Sequence, residues 1–298
     1  MITPLTFKRL EDLRLLNGTA AYVADLQMPG MVCARFVRSS LAHARIRHVD
    51  TEQVANQPGV IGVYRLKDMG KLADFPIPSV GEDIEWMKDY ASLQMFDTPQ
   101  LVLANDRVRY AGEPVAVLVA EDPYLAEDAA EWIHVDYDPL PVMANTRQAL
   151  VCTERIHPHI PQNIAVSLTV RKGDPESLEH RKDLVCVRDE FRLGRCSASP
   201  LESRGVMAVY DQEAGNLTVW SSTQVPHGLR TILAQALAMD ESSIRVIVPE
   251  VGGAFGAKAQ IYPEDLVVPW LAKHLNRPVK LVEDRLEPAS VGRGRAST

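Results

Sequence analysis

The sequence has only four cysteines, Cys33, Cys152, Cys186 and Cys196, and no two of them form a CxxC pair. That spacing suits neither a zinc ribbon nor an iron–sulfur site and is ordinary for a reduced cytosolic protein. An excess of basic charge is missing as well. The 32 Lys and Arg against 39 Asp and Glu leave a formal net charge of −7, which argues against nucleic acid or an anionic membrane surface as a partner. Long apolar runs are also lacking. The longest uncharged stretch, Ala214 to Leu229, holds Asn216, Ser221, Ser222 and Gln224, so no membrane span is expected. Residues 1–14 contain no apolar core between a basic flank and a small-residue cleavage site. No secretory signal is therefore expected, and a cytoplasmic location is. Internal repeats and low-complexity tracts are absent from the sequence. What is present is ordinary globular material, 46% hydrophobic and 24% charged, and 298 residues at roughly 150 per domain predict about two domains.

Apolar patterning gives the elements. Met31–Val37, Ala44–Val49 and Val60–Tyr64 read as strands, the second with half-buried alternation. Pro114–Ala120 is an almost unbroken apolar run, as expected of a strand covered on both faces. Asp122 can cap a helix whose first position is Pro123 and which continues to Trp132, and Ile133–Tyr137 returns to strand. Pro76, Pro78, Gly81 and Pro99 make the stretch from Met69 to Gln100 read as a long excursion. After a proline-rich passage, strands are expected at Ile164–Val170, Leu184–Phe191, Val206–Tyr210, Leu217–Trp220, Ile244–Val248 and Val279–Val282. Leu229, Ile232, Leu233, Ala236 and Leu237 fall on one face of an amphipathic helix, and a second helix is expected from Pro263 to about His274.

Four short clusters carry possible chemistry. Val251-Gly252-Gly253-Ala254-Phe255-Gly256-Ala257-Lys258 is a glycine loop after a strand, where backbone N–H groups can approach an anion or cofactor closely. It lacks the Gly-Lys-Ser/Thr of a P-loop and the GxGxxG of a dinucleotide fingerprint, and a tight strand-to-helix turn is the plain alternative. Ser221–His227 stands at a helix entrance, where Thr223 or Gln224 either caps the helix or offers an amide to a ligand oxygen. In Pro200–Gly205, Glu202 and Arg204 read as a salt bridge. His157 and His159 are better explained by a proline-rich surface linker than by a metal, because no third ligand lies nearby.

Taken in order, these runs resemble the molybdenum hydroxylase family: the molybdopterin-binding large subunit of xanthine dehydrogenase, aldehyde oxidase and aerobic carbon monoxide dehydrogenase. The likeness is carried by Arg9–Asp12 with Leu15–Gly18, by Tyr22–Leu26 with Met28–Met31, and by Val37–Ile46. Val108–Ala116 and Val135–Pro141 continue it, so that it spans nearly the whole chain. The resemblance implies an α+β fold with an N-terminal segment (1–16), an a/b hammerhead domain (17–148), a linker (149–162) and the first part of a molybdopterin-binding domain (163–298). It assigns Gln224 to an oxygen ligand of the molybdenum, and Gly252, Gly253, Phe255 and Gly256 to the loop beside metal and pterin. No residue ligates the metal directly.

The implied cofactor is molybdenum–molybdopterin in its dinucleotide form, shared with a missing or partner segment. A 2Fe-2S iron–sulfur subunit and an FAD-bearing flavin subunit are the expected partners, with a complementary molybdopterin-domain chain if the large subunit is split. The implied activity is oxidation of an aldehyde, N-heterocycle or similar small substrate with water as oxygen source. The chain would be a split or truncated component, with little activity alone; a non-catalytic scaffold subunit is the alternative. Two positions depart from the family pattern. Ala254 stands where glycine is common, and Ala259 stands where purine-hydroxylating relatives carry a substrate-binding glutamate, which disfavours xanthine. The family's general-base glutamate lies beyond this chain, and Glu264 and Glu283 are not candidates for it; both are expected to be solvated charges at a helix and a strand end.

Overall fold

The computed structural model describes residues 9–78, 91–170 and 198–285, and between them residues 173, 178, 181–185, 187–191 and 193. The first half supplies α1 (Asp12–Leu16), β1 (Val32–Arg38), β2 (Ala44–Asp50), α2 (Glu52–Ala55) and β3 (Val60–Arg65). It continues with β4 (Ala91–Met95), β5 (Arg107–Val108), β6 (Pro114–Ala120), α3 (Pro123–Glu131), β7 (His134–Pro139) and α4 (Thr146–Val151). The second half supplies β8 (Val166–Val170), β9 (Gly205–Asp211), β10 (Asn216–Ser221), α5 (Pro226–Leu237), β11 (Ile244–Ile247), α6 (Pro263–Leu275) and β12 (Val279–Val282). The α+β class expected from the sequence is the class observed.

Seven strands form one mixed sheet in the order β11-β10-β9-β12-β1-β6-β3. The two halves of the chain meet within it, because β12 lies parallel to β1, with Val32 opposite Val279 and Cys33 opposite Lys280. On its other side β12 runs antiparallel to β9. A separate three-stranded sheet, β5-β2-β7, and a two-stranded ribbon, β4-β8, complete the pairing.

The strand β6 shows why the sheet is stable. All seven of its residues are buried, as a run without polar alternation requires. Val117 and Val119 face the larger core, shared with Leu229 and Leu233 of α5 and Leu266 and Leu271 of α6. Leu118 and Ala120 face the smaller core, with Ala126 and Ala129 of α3. Directly after β6, Asp122 caps α3: its Oδ1 accepts N–H bonds from Tyr124 and Leu125, both at 2.9 Å, with Pro123 at the first helical position.

Two parts of the sequence pattern behave differently from expectation. Residues Leu184, Val185 and 187–191 form no strand; Val185, Val187 and Phe191 are exposed, and no described strand pairs with this stretch. The excursion between Met69 and Gln100 is partly ordered. Gly70–Asp74 forms a 3-10 turn, Ile77 and Gln100 make an isolated bridge, and β4 pairs with β8; residues 79–90 lie outside the described residues. Cys33 and Cys152 are free thiols, while Cys186 and Cys196 lie outside the described residues.

Candidate functional site

The end of β10 and the loop after β11 converge. The chain leaves β10 at Ser221, and Ser222 and Thr223 are buried. Neither Thr223 nor Gln224 caps α5, whose N-cap is Val225 with no side-chain bond. Thr223 is instead tied into the glycine loop: its Oγ1 donates to the Lys258 carbonyl at 3.3 Å and accepts the Val225 N–H at 3.1 Å. Gln224 makes the same connection twice. Its backbone N–H donates to the Lys258 carbonyl at 2.8 Å, and its Oε1 accepts the Lys258 N–H at 3.3 Å. With the side-chain carbonyl so occupied, the Nε2 group of this exposed residue is left as a donor without an acceptor among the described residues.

The glycines of the loop are required by geometry. A Cβ on Gly252 would lie 2.6 Å from Cβ of Glu202, so the backbone can approach that residue only without a side chain. Gly253 and Gly256 adopt φ of +94° and +85°, which disfavours any L side chain there. Between them Phe255 also holds a left-handed φ of 52° and leaves its ring 79% exposed. Strain of this kind in a non-glycine aromatic persists only where surrounding structure imposes it, and it clusters at ligand-binding sites. The carbonyls of Ala254 and Gly256 accept from Ala257 and Ala259 within the loop. By contrast, the N–H groups of Gly253, Ala254, Phe255 and Gly256 have no acceptor among the described residues. The sequence reading thus placed Gln224, Gly252, Gly253, Phe255 and Gly256 in one neighbourhood, and the structure brings them together. Ala259 lies exposed at the loop's end.

Glu202 and Arg204 are not partners. Oε2 of Glu202 accepts the Gly252 N–H at 2.8 Å and the Lys258 Nζ at 2.7 Å, and the Glu202 N–H donates to the Gly252 carbonyl at 3.1 Å. Arg204 turns the other way, into a buried ionic cluster. Its Nε donates to Oε2 of Glu283 at 2.8 Å, a second short contact joins its guanidinium to the same carboxylate, and Tyr262 stacks against it at 3.3 Å. Arg38 of β1 completes the cluster through Glu264 at 2.6 Å and Glu283 at 3.5 Å. The expectation that Glu264 and Glu283 are solvated is therefore wrong. Each is 3% exposed, because α6 begins over the sheet and β12 ends inside it, bringing both carboxylates onto two arginines.

Electrostatics within the cluster is divided. Burial would raise the Glu264 carboxyl, but Arg204 and Arg38 outweigh it and hold the group down at about 2. Burial pushes Glu283 up, and the neighbouring Glu264 charge adds to that despite Arg204. Burial also raises Asp265 to about 6, against the Tyr262 N–H that it accepts at 2.9 Å. Asp265 accepts from Ser221 as well, at 3.2 Å, and the Tyr262 hydroxyl donates to the Ala257 carbonyl at 2.6 Å. These bonds join the cluster to the floor of the loop. No sequence motif marked the cluster; its members lie as far apart as Arg38 and Glu283, and the β1–β12 and β9–β12 pairings with the start of α6 unite them.

His157 and His159 lie side by side. Their rings meet edge to face at 5.8 Å, and His159 Nε2 lies 2.6 Å from the Asp97 carbonyl. Burial, then Arg109, His159 and Arg107, lower His157 to about 4. Among the described residues no group of three or more His, Cys, Asp or Glu could hold a metal ion, and no helix is long and apolar enough to cross a membrane.

Residues 17–141 match the model of the aldehyde oxidase and xanthine dehydrogenase a/b hammerhead domain, and residues 156–298 match the molybdopterin cofactor-binding domain. The chain is 36% identical, over 94% of its length, to the 6-hydroxypseudooxynicotine dehydrogenase complex subunit gamma of Paenarthrobacter nicotinovorans, covering 34% of that protein. It is 35% identical, over 95% of its length, to the carbon monoxide dehydrogenase large chain of Afipia carboxidovorans, covering 35% of it. Among solved structures, quinoline 2-oxidoreductase from Pseudomonas putida 86 superposes with a TM-score of 0.83 at 38% identity, covering 95% of this chain and 34% of that one. The chain thus spans about a third of the length of these relatives.

Proposed function

Because the chain belongs to the molybdenum hydroxylase family, as the N-terminal part of its molybdopterin-binding large subunit, we propose that Gln224 and the Gly252–Gly256 loop form one wall of a molybdenum–molybdopterin site. The observation that carries this reading is the set of unpartnered donors. Gln224 Nε2 and four successive loop N–H groups are neutral donors without acceptors among the described residues. A row of neutral donors suits the oxygen ligands of a metal, a pterin edge or a phosphate of the dinucleotide form. Gly253 and Ala254 are half-buried and Phe255, Gly256 and Gln224 exposed, so these donors lie where a ligand can reach them.

The bound group would supply the redox chemistry, taking two electrons from the substrate while water provides the oxygen. This chain's residues would do the positioning. Gln224, with its carbonyl held by Lys258, would present its amide to a metal oxygen. The loop N–H groups would hold the group's acceptors, and the exposed Phe255 ring would wall the substrate space. Further donors and the general base would come from the segments that relatives carry beyond the matched third. An electron-poor N-heterocycle is the preferred substrate class, since quinoline and nicotine appear in the names of relatives at 38% and 35% identity; an aldehyde fits the same chemistry. Ala259 offers no carboxylate to a purine. Electrons would leave through a 2Fe-2S subunit and an FAD subunit, with the assembly in the cytoplasm.

The test is to purify the chain assembled with its partner subunits, measure molybdenum per chain by mass spectrometry, and follow dye reduction with quinoline, nicotine, benzaldehyde and xanthine. Stoichiometric molybdenum with turnover of a heterocycle or aldehyde, and none of xanthine, is expected. A complex without molybdenum overturns the reading, and a molybdenum-loaded complex inert toward all four probes favours a scaffold role.

A further inference from the structure

Glu202 and Lys258 hold the glycine loop at its two ends. The Glu202 carboxylate accepts from Gly252, where the loop begins, and from the Lys258 ammonium, where it ends. The backbone of Lys258 is fixed in turn by Thr223 and by two bonds with Gln224. A single ion pair therefore connects Gly252, the loop's far end and the side-chain carbonyl that orients Gln224. Between these anchors, Gly253 to Gly256 keep their N–H groups unpartnered. The pair is sealed: the Lys258 side chain is 1% exposed and that of Glu202 15%. At that burial the ammonium is engaged by its carboxylate, and an ion pair so enclosed fixes geometry more firmly than an exposed one.

We infer that Glu202 and Lys258 are positioning residues whose ion pair sets the separation between Gly252 and Gln224, and so aims the loop N–H groups and the Gln224 amide at one bound group. This deepens the cofactor site proposed above and rests on it for the identity of that group. The couple has a different origin from the arginine cluster. It joins three segments around a loop, whereas Arg38, Arg204, Glu264 and Glu283 join strands and a helix within the sheet.

The experiment uses the chain assembled with its partner subunits and compares wild type with Lys258→Met, Lys258→Arg and Glu202→Gln. Three readouts are taken: deuterium exchange of the 251–259 peptide, molybdenum per chain, and the molybdenum electron paramagnetic resonance signal after partial reduction with dithionite. Loss of the pair is expected to speed exchange in 251–259 by about tenfold, the effect of one or two lost hydrogen bonds, with α6 unchanged. The resonance signal should shift, and Lys258→Arg, which keeps a cation beside Glu202, should restore both. If Lys258→Met does not accumulate, Glu202→Gln reads the same couple, since it keeps an acceptor for Gly252 while removing the charge. Unchanged loop exchange accompanied by loss of molybdenum would overturn the inference, because Lys258 would then be holding the group directly. Faster exchange throughout the sheet would also overturn it, by making the pair a general stabiliser. Absence of molybdenum from the wild-type complex would refute the proposed cofactor, while loop exchange would still decide the role of the pair.

Discussion

The buried arginine cluster and the glycine loop sit side by side and handle polar groups in opposite ways. In the cluster, Glu264 and Glu283 are met by Arg38 and Arg204, and Asp265 by Ser221 and the Tyr262 N–H. In the loop, a few residues earlier in sequence, four consecutive N–H groups and one amide have no partner among the described residues. The cluster closes the seam where the chain's two halves share a sheet. The loop is held from behind and open in front. A fold needs the first kind of region; a ligand needs the second.

Arg204→Met should give the largest effect. It leaves the Glu283 carboxylate without its bidentate partner in a buried site, where breaking one side of a charge pair costs about 3–5 kcal/mol. Urea unfolding of the assembled protein should show the midpoint falling accordingly, and a loss under 1 kcal/mol would mean that the cluster is better hydrated than its burial indicates. On the open side, Gln224→Ala should hardly alter stability. It should slow turnover by roughly 100-fold through loss of one donor to a developing charge, with molybdenum content retained. Equal losses of stability in the two variants would erase the contrast between the regions.

Glu113 sharpens the sealed side of the comparison, because it is buried with mainly backbone N–H partners. Burial, opposed by the Arg109 N–H, raises its carboxyl from 4.5 to about 7. The folded state therefore holds this proton more tightly than the unfolded chain does. The stabilisation is complete below about pH 4.5 and is lost as pH rises through 7. Glu113→Gln cannot lose that proton, so its advantage over wild type should grow to about 1–3 kcal/mol at pH 8. Melting curves from pH 5 to 8 check this; parallel pH profiles would contradict it. The smallest effect is expected at Ala238, the left-handed C-cap of α5 with φ of 49°. Ala238→Gly should relieve backbone strain and stabilise by about 0.5–1 kcal/mol, readable in the same melts.

Much of this was legible in the sequence. Pro114–Ala120 announced a doubly covered strand, Asp122-Pro123 a helix start, and the spacing of Leu229, Leu233 and Leu237 a packed helix. Local patterns of this kind carry their own explanation. The glycine loop was legible for a related reason, since φ of +94° at Gly253 and the close approach at Gly252 demand glycine, whereas Gln224 was marked only by the resemblance to the family. The partners of Glu202, Arg204, Glu264 and Glu283 were not legible. Neighbours in sequence made Glu202 and Arg204 look like a pair, but the segment leading into β9 sends them to different partners, 56 and 79 positions away. At 184–191 the apolar residues suggested a strand, yet a strand also needs a paired neighbour, and no described strand pairs with this stretch.

The central claim is that the loop's open donors are built for a bound group. It is tested most directly by comparing Gly253→Val with Gly215→Val in the assembled complex. Both glycines hold a positive φ, +94° and +69°; a Cβ on Gly253 would also meet Phe255 at 3.1 Å and Pro200 at 3.4 Å, whereas Gly215 lies in open space in the β9–β10 turn and controls for backbone strain alone. Molybdenum per chain, measured by mass spectrometry, should fall several-fold for Gly253→Val and stay at the wild-type level for Gly215→Val. Full molybdenum in the Gly253→Val complex would contradict the account.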